Sequence, residues 1–354
     1  MITLVFNVGS SSVKCAVYDG TNKIFSDYIQ HTHAKEDRER AVKYLLLELA
    51  QQKIKPDVIG HRIVHGGTLT KTTKVTPSVR KKLDSIAKLA PLHDIPELEV
   101  IDLCEKLFSV TQYAVFDTAF HQTIAQVNHR YAIPEKFYEH GIRKYGFHGI
   151  SHEFISKGFS GNVVTCHLGS GCSICAIKNS KSIQTSMGFT PLDGLIMTTR
   201  SGSIDPGVIF FLKDSEKMSV DEINQMLNKE SGLLAVGGSN DVRNLLKSPS
   251  KKAKLAIAMY IERIVQTIGS HVAAIGGLDT LVFSAGTGEG SAQIRSEICK
   301  RLSYMGVSLD SAANKKTIAT RSKISNSSSK VEVWVISTNE ELAIVQKIIK
   351  KVKT

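Results

Sequence analysis

Three short segments set glycine beside hydroxyl residues in a way that suits a phosphate. Gly9-Ser-Ser-Ser12, with Lys14 two residues on, offers backbone N–H groups, hydroxyls and a point charge with no bulky Cβ in the way. Gly169-Ser-Gly171 and Gly286-Thr-Gly288 are turns of the same type. The first is not a P-loop, because it leads into a segment that reads as a strand rather than a helix. Each alone reads equally well as the tip of a hairpin; three in one chain point to a nucleotide. In His61-Arg-Ile-Val-His-Gly-Gly67, Arg62 can grip a carboxylate or phosphate through two parallel N–H donors, or it is a surface arginine beside a core histidine. Arg143-Lys-Tyr-Gly-Phe-His-Gly-Ile-Ser-His152 packs aromatic, glycine and histidine residues together, and His148 is read as facing a ligand. The stretch Thr185 to Gly207 is too rich in glycine, proline and hydroxyls for a long helix or a regular strand. A loop of that length in a compact domain usually has a function, and Arg200 is its one basic residue, with Asp193 and Asp205 its acids.

These residues need elements to hold them. Ile2 to Asn7 and Val13 to Tyr18 read as two strands around a Gly/Ser turn, and Val163 to Leu168 and Ser173 to Ile177 read the same way around Gly169-Ser-Gly171. Aligned without gaps, Gly9, Ser10, Cys15 and Ala16 fall opposite Gly169, Ser170, Cys175 and Ala176. Ala114-Val-Phe-Asp117 and Leu281-Val-Phe-Ser284 extend the correspondence as short buried strands, with amphipathic helices such as Ala41 to Gln51 and Leu255 to Ile275 between. The pattern implies an internal duplication: two similar α/β domains, each offering a phosphate-sized turn to a shared cleft.

Composition narrows the class. A chain of 354 residues with 42% hydrophobic content suits two cored domains. Charges and glycines interrupt every apolar run before about 18 residues and Met1 to Phe6 carries no basic leader, so the expectation is a soluble, cytoplasmic protein without membrane association. Six scattered cysteines fit free thiols. The C-x-x-C of Cys172 and Cys175 lies in an apolar strand with its thiols on opposite faces, which favours packing over a metal or redox role. The net charge of +12 comes with no nucleic-acid module and is read as a field that draws in small anions, with no nucleic-acid partner expected.

Taken together the motifs resemble those of acetate kinases, in order and essentially end to end. They are Asn7-Val-Gly-Ser-Ser-Ser12 with Lys14, the segment around Arg62, Phe116-Asp-Thr-Ala-Phe-His121, Tyr145-Gly-Phe-His-Gly149, Cys166-His-Leu-Gly169, Thr185 to Pro206, and Thr338-Asn-Glu-Glu341. The resemblance implies duplicated actin-like (ribonuclease H-like) α/β domains, mixed sheets flanked by helices with a cleft between. The expected limits are 1–145 with 341–354 for the first domain and 146–340 for the second, which carries most of the nucleotide site. It implies reversible in-line phosphoryl transfer from ATP to acetate, giving acetyl phosphate and ADP. Asp117, His148 and Arg200 would be catalytic, and Arg62, Val64, Leu92, Phe147 and Pro191 would bind acetate. Ser10, Ser12, Lys14, His167, Leu168, Gly169, Ser170, Gly171, Asp241, Val242, Arg243, Gly286, Thr287, Gly288 and Glu289 would receive the nucleotide. Asn7, Asp117 and Glu340 would organise Mg²⁺, with Mn²⁺ as a substitute, and a homodimer is implied.

Departures from the family pattern are local. The stretch between Lys14 and Arg62 is short, Ala90-Pro-Leu-His-Asp-Ile95 replaces a usual His-Asn-Pro, Ser170 and Gly290 stand where Asn is usual, and Thr198 where Gly is usual. A propionate kinase is the nearest alternative. A butyrate kinase would usually carry Pro where Val8 stands, a non-catalytic nucleotide module would not need Arg62, His148 and Arg200 together, and a nucleic-acid binder would leave the loops unexplained.

Overall fold

A computed structural model describes the chain apart from residues 10, 11, 31–34, 88–90, 317–319 and 354; the side chains at 12, 35 and 91–93 also lie outside the described residues. Packing divides it into two compact units, Met1–Gln122 with Phe147–Phe154 and Asn339–Thr354, and Thr123–Gly146 with Ile155–Thr338.

The first unit holds a six-stranded mixed sheet made of β1 (Ile2–Val8), β2 (Ser12–Asp19), β3 (Asn22–Gln30), β4 (Val58–Ile63), β5 (Thr73–Lys74) and β6 (Thr111–Phe116), in the order β3-β2-β1-β4-β6-β5. The second holds β7 (Asn162–Leu168), β8 (Cys172–Lys178), β9 (Lys181–Thr185), β10 (Thr280–Ser284), β11 (Arg321–Lys323) and β12 (Glu332–Ile336), in the order β9-β8-β7-β10-β12-β11. In each, the first strand pairs antiparallel with the second and parallel with the fourth, and the fourth pairs parallel with the sixth. The sheets therefore match strand for strand.

Two correspondences drawn from sequence are corrected by the registers. The counterpart of Leu281 to Ser284 in β10 is β4, not the strand at Ala114 to Asp117, whose counterpart is β12. Distance along the chain misled because the second unit has a long loop and five helices between its third and fourth strands, where the first has one helix among its described residues. Val8 pairs with Val13, leaving four residues in the first turn, whereas Leu168 pairs with Cys172, leaving three in the second. The ungapped match of Cys15 with Cys175 thus slips by one residue: Cys15 faces Phe6, while Cys175 faces Thr165, the counterpart of Val5. All six cysteines are free and buried; Cys172 Sγ lies 3.3 Å from Tyr260 Oη and Cys175 Sγ 3.3 Å from Ser182 Oγ, so each thiol has its own packing partner.

The period of two along β1 decides what meets what. Leu4, Phe6 and Val8 enter a core with the helices Lys35–Gln51 and Pro91–Leu107, while Val5 packs with Ile344 and Ile348 of the helix Glu340–Val352. Asn7 shares the face of Val5, which delivers its side chain to the start of that C-terminal helix. On β4, a Cβ at Gly60 would press on Ile344 and Ile348, so Gly60 lies on this face and Arg62, two residues on, shares it.

Candidate active site

The first unit gathers its polar side chains at the carboxyl ends of β1, β4 and β6, the edge where open α/β sheets bind ligands. Asn7 comes from β1, Arg62 from β4, and Asp117 directly follows β6. Arg62 Nη2 donates to Asp117 Oδ2 at 2.5 Å and Nη1 to Asn7 Oδ1 at 3.4 Å; Nε lies 3.6 Å from Glu340 Oε2, and Nη1 3.9 Å from Glu97 Oε1. Asn7 Nδ2 donates to Glu340 Oε2 at 2.9 Å and Glu341 Oε1 at 3.1 Å. Asn339 caps the helix by accepting from Leu342 N, and two acids in the first turn suit its dipole. Arg62 is no surface arginine: its side chain is 12% exposed, that of Glu340 14%, and those of Asp117 and Glu97 0%.

Such burial shapes every charge in the cluster. Burial alone weakens the charged form of Arg62, and the carboxylates of Asp117, Glu340 and Glu97 more than restore it, so its pKa moves up. Burial pushes Asp117 up to about 6 despite the pull of Arg62, with Glu340 adding to the rise. Burial likewise carries Asp94 up to about 7, and burial followed by the charge of Asp94 lifts Glu97 well above the usual carboxylate range. His61, beside Arg62, is a core histidine: Nε2 sits 2.7 Å from Gln112 Oε1, the ring stacks on Phe6, and burial lowers its pKa to about 4.

Past Ile63 the chain leaves the sheet, and side chains take over its backbone donors. Val64 N–H donates to Glu97 Oε2 at 2.9 Å, His65 N–H to Asp94 Oδ1 at 3.0 Å, and Gly66 N–H to Thr118 Oγ1 at 3.1 Å. His148 is half-buried at φ +56°, a left-handed conformation that a histidine holds only where its surroundings require it. The next residue supplies the reason: Gly149 N–H donates to the Asp117 carbonyl at 2.9 Å, and a Cβ on Gly149 would lie 2.1 Å from that oxygen. The tight glycine contact ties the start of the helix Gly149–Ser156 to the Asp117 backbone and fixes where His148 emerges. Val64 and Phe147 are buried, and the ring of His65 meets Phe147 edge-on at 5.7 Å. Ser10 and the side chains of Ser12 and Leu92 lie outside the described residues, and Lys14 is exposed on β2.

In the second unit, residues 186–205 run without helix or strand, as expected. Arg200 is half-buried there; its Nη1 donates to the Pro191 carbonyl at 3.3 Å and lies 3.8 Å from Met197 Sδ. The loop rests on Gly232, at φ +62°, where a Cβ would lie 2.2 Å from the Met197 carbonyl and 2.6 Å from that of Arg200. Gly169-Ser-Gly171 is the β7–β8 turn, but Gly286 to Glu289 belongs to a short helix, Ala285–Gly290, rather than a hairpin tip. The two are neighbours, since a Cβ on Gly169 would touch Ala285 Cβ at 3.6 Å, and His167 and Leu168 lead into the turn from β7. Thr198 donates from both its N–H and its hydroxyl to the Ser170 carbonyl, at 3.3 and 3.2 Å, so two of the departures from the family pattern sit on each other. The Asp241 carboxylate accepts from the N–H and the guanidinium of Arg243 at its own helix start, with Val242 between them.

The duplication shows in these sites too. By strand register, His167, Ser284 and Thr338 hold the places of Asn7, Arg62 and Asp117. Where Arg62 and Asp117 pair across β4 and β6, Glu289 spans the ends of β10 and β12, accepting from Ala285 N–H at 2.8 Å, Ser337 Oγ at 2.9 Å and Thr338 N–H at 3.3 Å.

Comparison with known proteins shows the family. The model of the Acetokinase family matches residues 24–346. The chain belongs to that family. Acetate kinase from Clostridium novyi (strain NT) is 40% identical over 390 aligned positions, 98% of this chain and 97% of that protein. The crystal structure of Porphyromonas gingivalis acetate kinase superposes with a TM-score of 0.89 at 34% identity, covering 99% of each chain. A propionate kinase from Francisella tularensis superposes with a TM-score of 0.88 at 38% identity, covering 98% of each. The fold is the duplicated actin-like α/β fold of acetate kinases.

Within this acetokinase cluster, sequence reading missed Asp94 and Glu97. The signal was present: the two acids stand three residues apart, on one face of the helix Pro91–Leu107, with Asp94 inside the segment that departs from the family pattern and Glu97 just after it.

Proposed function

We propose that the cluster around Arg62 receives acetate in an acetate kinase reaction, in which ATP phosphorylates acetate to give acetyl phosphate and ADP. The observation that carries this is one buried guanidinium held by Asp117, Asn7 and Glu340 at the carboxyl ends of three adjacent strands. Acetate, with a pKa of about 4 to 5, is already a carboxylate at neutral pH and needs no general base. A carboxylate oxygen forms the new O–P bond as the bond from the γ-phosphorus to the ADP oxygen breaks, and ADP leaves with the electron pair. The work left to the protein is to bring one anion to another in line and to neutralise charge. Arg62 takes the acetate carboxylate, Val64 and Phe147 line its methyl group, His148 donates to the equatorial oxygens of the phosphoryl group, and Arg200 meets the charge on that group. The nucleotide belongs to Gly169-Ser-Gly171 and the Gly286 to Glu289 helix, with Asp241 to Arg243 beside it in the same reading.

Mg²⁺ fits the donors present. Asp117, Glu340 and Asn7 offer oxygen ligands, Asp117 Oδ1 is buried and makes no hydrogen bond, and no cage of three or more His, Cys, Asp or Glu occurs among the described residues. Magnesium is commonly held by one or two carboxylates plus substrate phosphates, so this sparse set suits it. When bound, the ion neutralises phosphate charge. Asp117 is then an organiser of the ion and its water, not a proton carrier.

Propionate is the second reading, favoured by the likeness to the Francisella propionate kinase. Exposed Val208, Phe210 and Phe211 on the helix Pro206–Asp214 support a homodimer, which sedimentation velocity checks. The free thiols and the ATP substrate support a cytoplasmic location; no helix among the described residues is long and apolar enough to cross a membrane. Trapping acetyl phosphate as its hydroxamate tests the reaction: none formed from ATP, Mg²⁺ and acetate would remove the assignment.

A further inference from the structure

Three carboxyl groups crowd one guanidinium, with a fourth close by. Asp117, Glu340 and Glu97 approach Arg62 to 2.5, 3.6 and 3.9 Å, and Asp94 lies one helical turn before Glu97. One positive charge does not keep three buried carboxyls and the half-buried Glu340 all ionised, and like charges that close push protons onto some of them. Asp117, with the shortest contact, keeps the guanidinium. Glu97 differs in that Oε2 accepts from Val64 N–H at 2.9 Å, while Oε1 is buried, makes no hydrogen bond and points to the Nη1 side of Arg62. A fully buried polar atom left over in this way calls for a partner that has yet to arrive.

We propose that Glu97 is a further acetate-binding residue: it stands beside Arg62 as a neutral carboxylic acid and donates its Oε1 hydroxyl to the carboxylate of bound acetate. Oε2 meanwhile keeps the Val64 N–H and so holds the wall of the methyl pocket. The inference rests on the reading that acetate binds at Arg62. The groups facing Glu97 are Arg62 from β4, Asp117 after β6 and Asp94 on its own helix. The neighbouring helices Lys35–Gln51 and Pro77–Ala87 bring Arg38 and Arg80, which are taken by Glu99 and Asp102. The contacts of Glu97 itself are with Arg62 and Val64, neither a ligand of the proposed ion. Burial favours the neutral acid, two negative neighbours against one shared positive charge move the group the same way, and an arriving acetate anion strengthens the preference. By linkage, the neutral acid in turn strengthens acetate binding.

Difference infrared spectroscopy of the whole protein, with and without acetate, reads the acid directly. The expected result is a carbonyl band of a neutral carboxylic acid that shifts when acetate is added, survives in Asp94→Asn and is missing in Glu97→Gln. In steady-state kinetics Glu97→Gln, which retains a donor, should keep KM for acetate within about threefold, whereas Glu97→Met, of similar length but with no donor, should raise it about tenfold or more. Both should leave KM for ATP within about twofold, a split that general loosening of the fold would not give. A fall of severalfold in KM for acetate in Glu97→Gln would mean that the wild-type group is an ion repelling substrate, and overturns the proposal. Should a variant fail to fold, the wild-type spectrum decides alone: no acid band that acetate moves also overturns it. If Arg62→Ala leaves KM for acetate unchanged, the underlying reading of the site fails instead.

Discussion

Replacing Arg62 by Ala tests the cluster through stability as well as activity. The change leaves Asp117 and Glu97 fully buried, and Glu340 nearly so, without their cation. Breaking a buried pair by removing one partner costs about 3–5 kcal/mol, because the remaining charge is uncompensated. A protein avoids part of that cost by protonating the carboxylate, and this sets a ceiling. From an unfolded-state pKa of about 3.9, protonating Asp117 costs about 4 kcal/mol at pH 7 and about 1.5 kcal/mol at pH 5. The sign is set by proton uptake: in the variant the folded state binds the proton that the unfolded state has released, so stability falls as pH rises. Wild type, with Asp117 already raised to about 6, bears about 3 kcal/mol of this cost at pH 7 and nearly all of it at pH 5, so urea unfolding of wild type and Arg62→Ala, followed by circular dichroism, should show a destabilisation of about 1.5 kcal/mol at pH 7 that largely disappears at pH 5. In the same protein KM for acetate should rise and kcat fall, since in the proposed reaction Arg62 meets the carboxylate in both ground and transition states. A loss under about 1 kcal/mol, or one equal at the two pH values, would refute the view that Arg62 neutralises these buried acids.

Arg200 should act mostly on kcat: Arg200→Ala is expected to lose about 10³ or more in rate, and Arg200→Lys to recover little, because an ammonium lacks the planar two-pronged donor geometry. An alanine variant keeping more than about a tenth of wild-type kcat contradicts that role. In a substrate series kcat/KM should fall from acetate to propionate and far more steeply to butyrate, as each methylene in a small apolar pocket is worth about 1–3 kcal/mol; butyrate turning over as well as acetate would leave only the fold. With Ser170 and Gly290 where amide side chains are usual, GTP or ITP should support the reaction within about tenfold of ATP, and strict dependence on ATP would show that other groups read the base. Asp94 and Asp117, raised to about 7 and about 6, fit the fold better protonated, so wild-type stability should decline as pH rises from about 4 toward 7 and level off above. Asp94→Asn should flatten that decline, and an unchanged slope measured by urea titration would remove Asp94 from the account.

Much of this protein is legible in its sequence because the signals are local. A short apolar run marks β1 and period-two alternation β2, glycine next to serine marks the turns, and the density of glycine and proline from Thr185 to Gly207 marks an irregular loop, which runs from 186 to 205 in the structure. Arg62 at a strand end can be picked out as a candidate for the same reason, and Asp117 through the resemblance to acetate kinases. What the sequence leaves open is register and company. The slip between Cys15 and Cys175 and the counterpart of β10 both depend on which strand lies beside which, a matter of hydrogen bonds between segments far apart in the chain. The same holds for charge. Glu97 stands 35 residues after Arg62 and is an ordinary acid on paper. Only when the helix Pro91–Leu107 packs against β4, with the C-terminal helix closing the other face, do three carboxyls come to share one largely buried guanidinium, with Asp94 a helical turn away. Desolvation and mutual repulsion, which set the protonation of Asp117, Asp94 and Glu97, are properties of that three-dimensional neighbourhood and of no single residue in it.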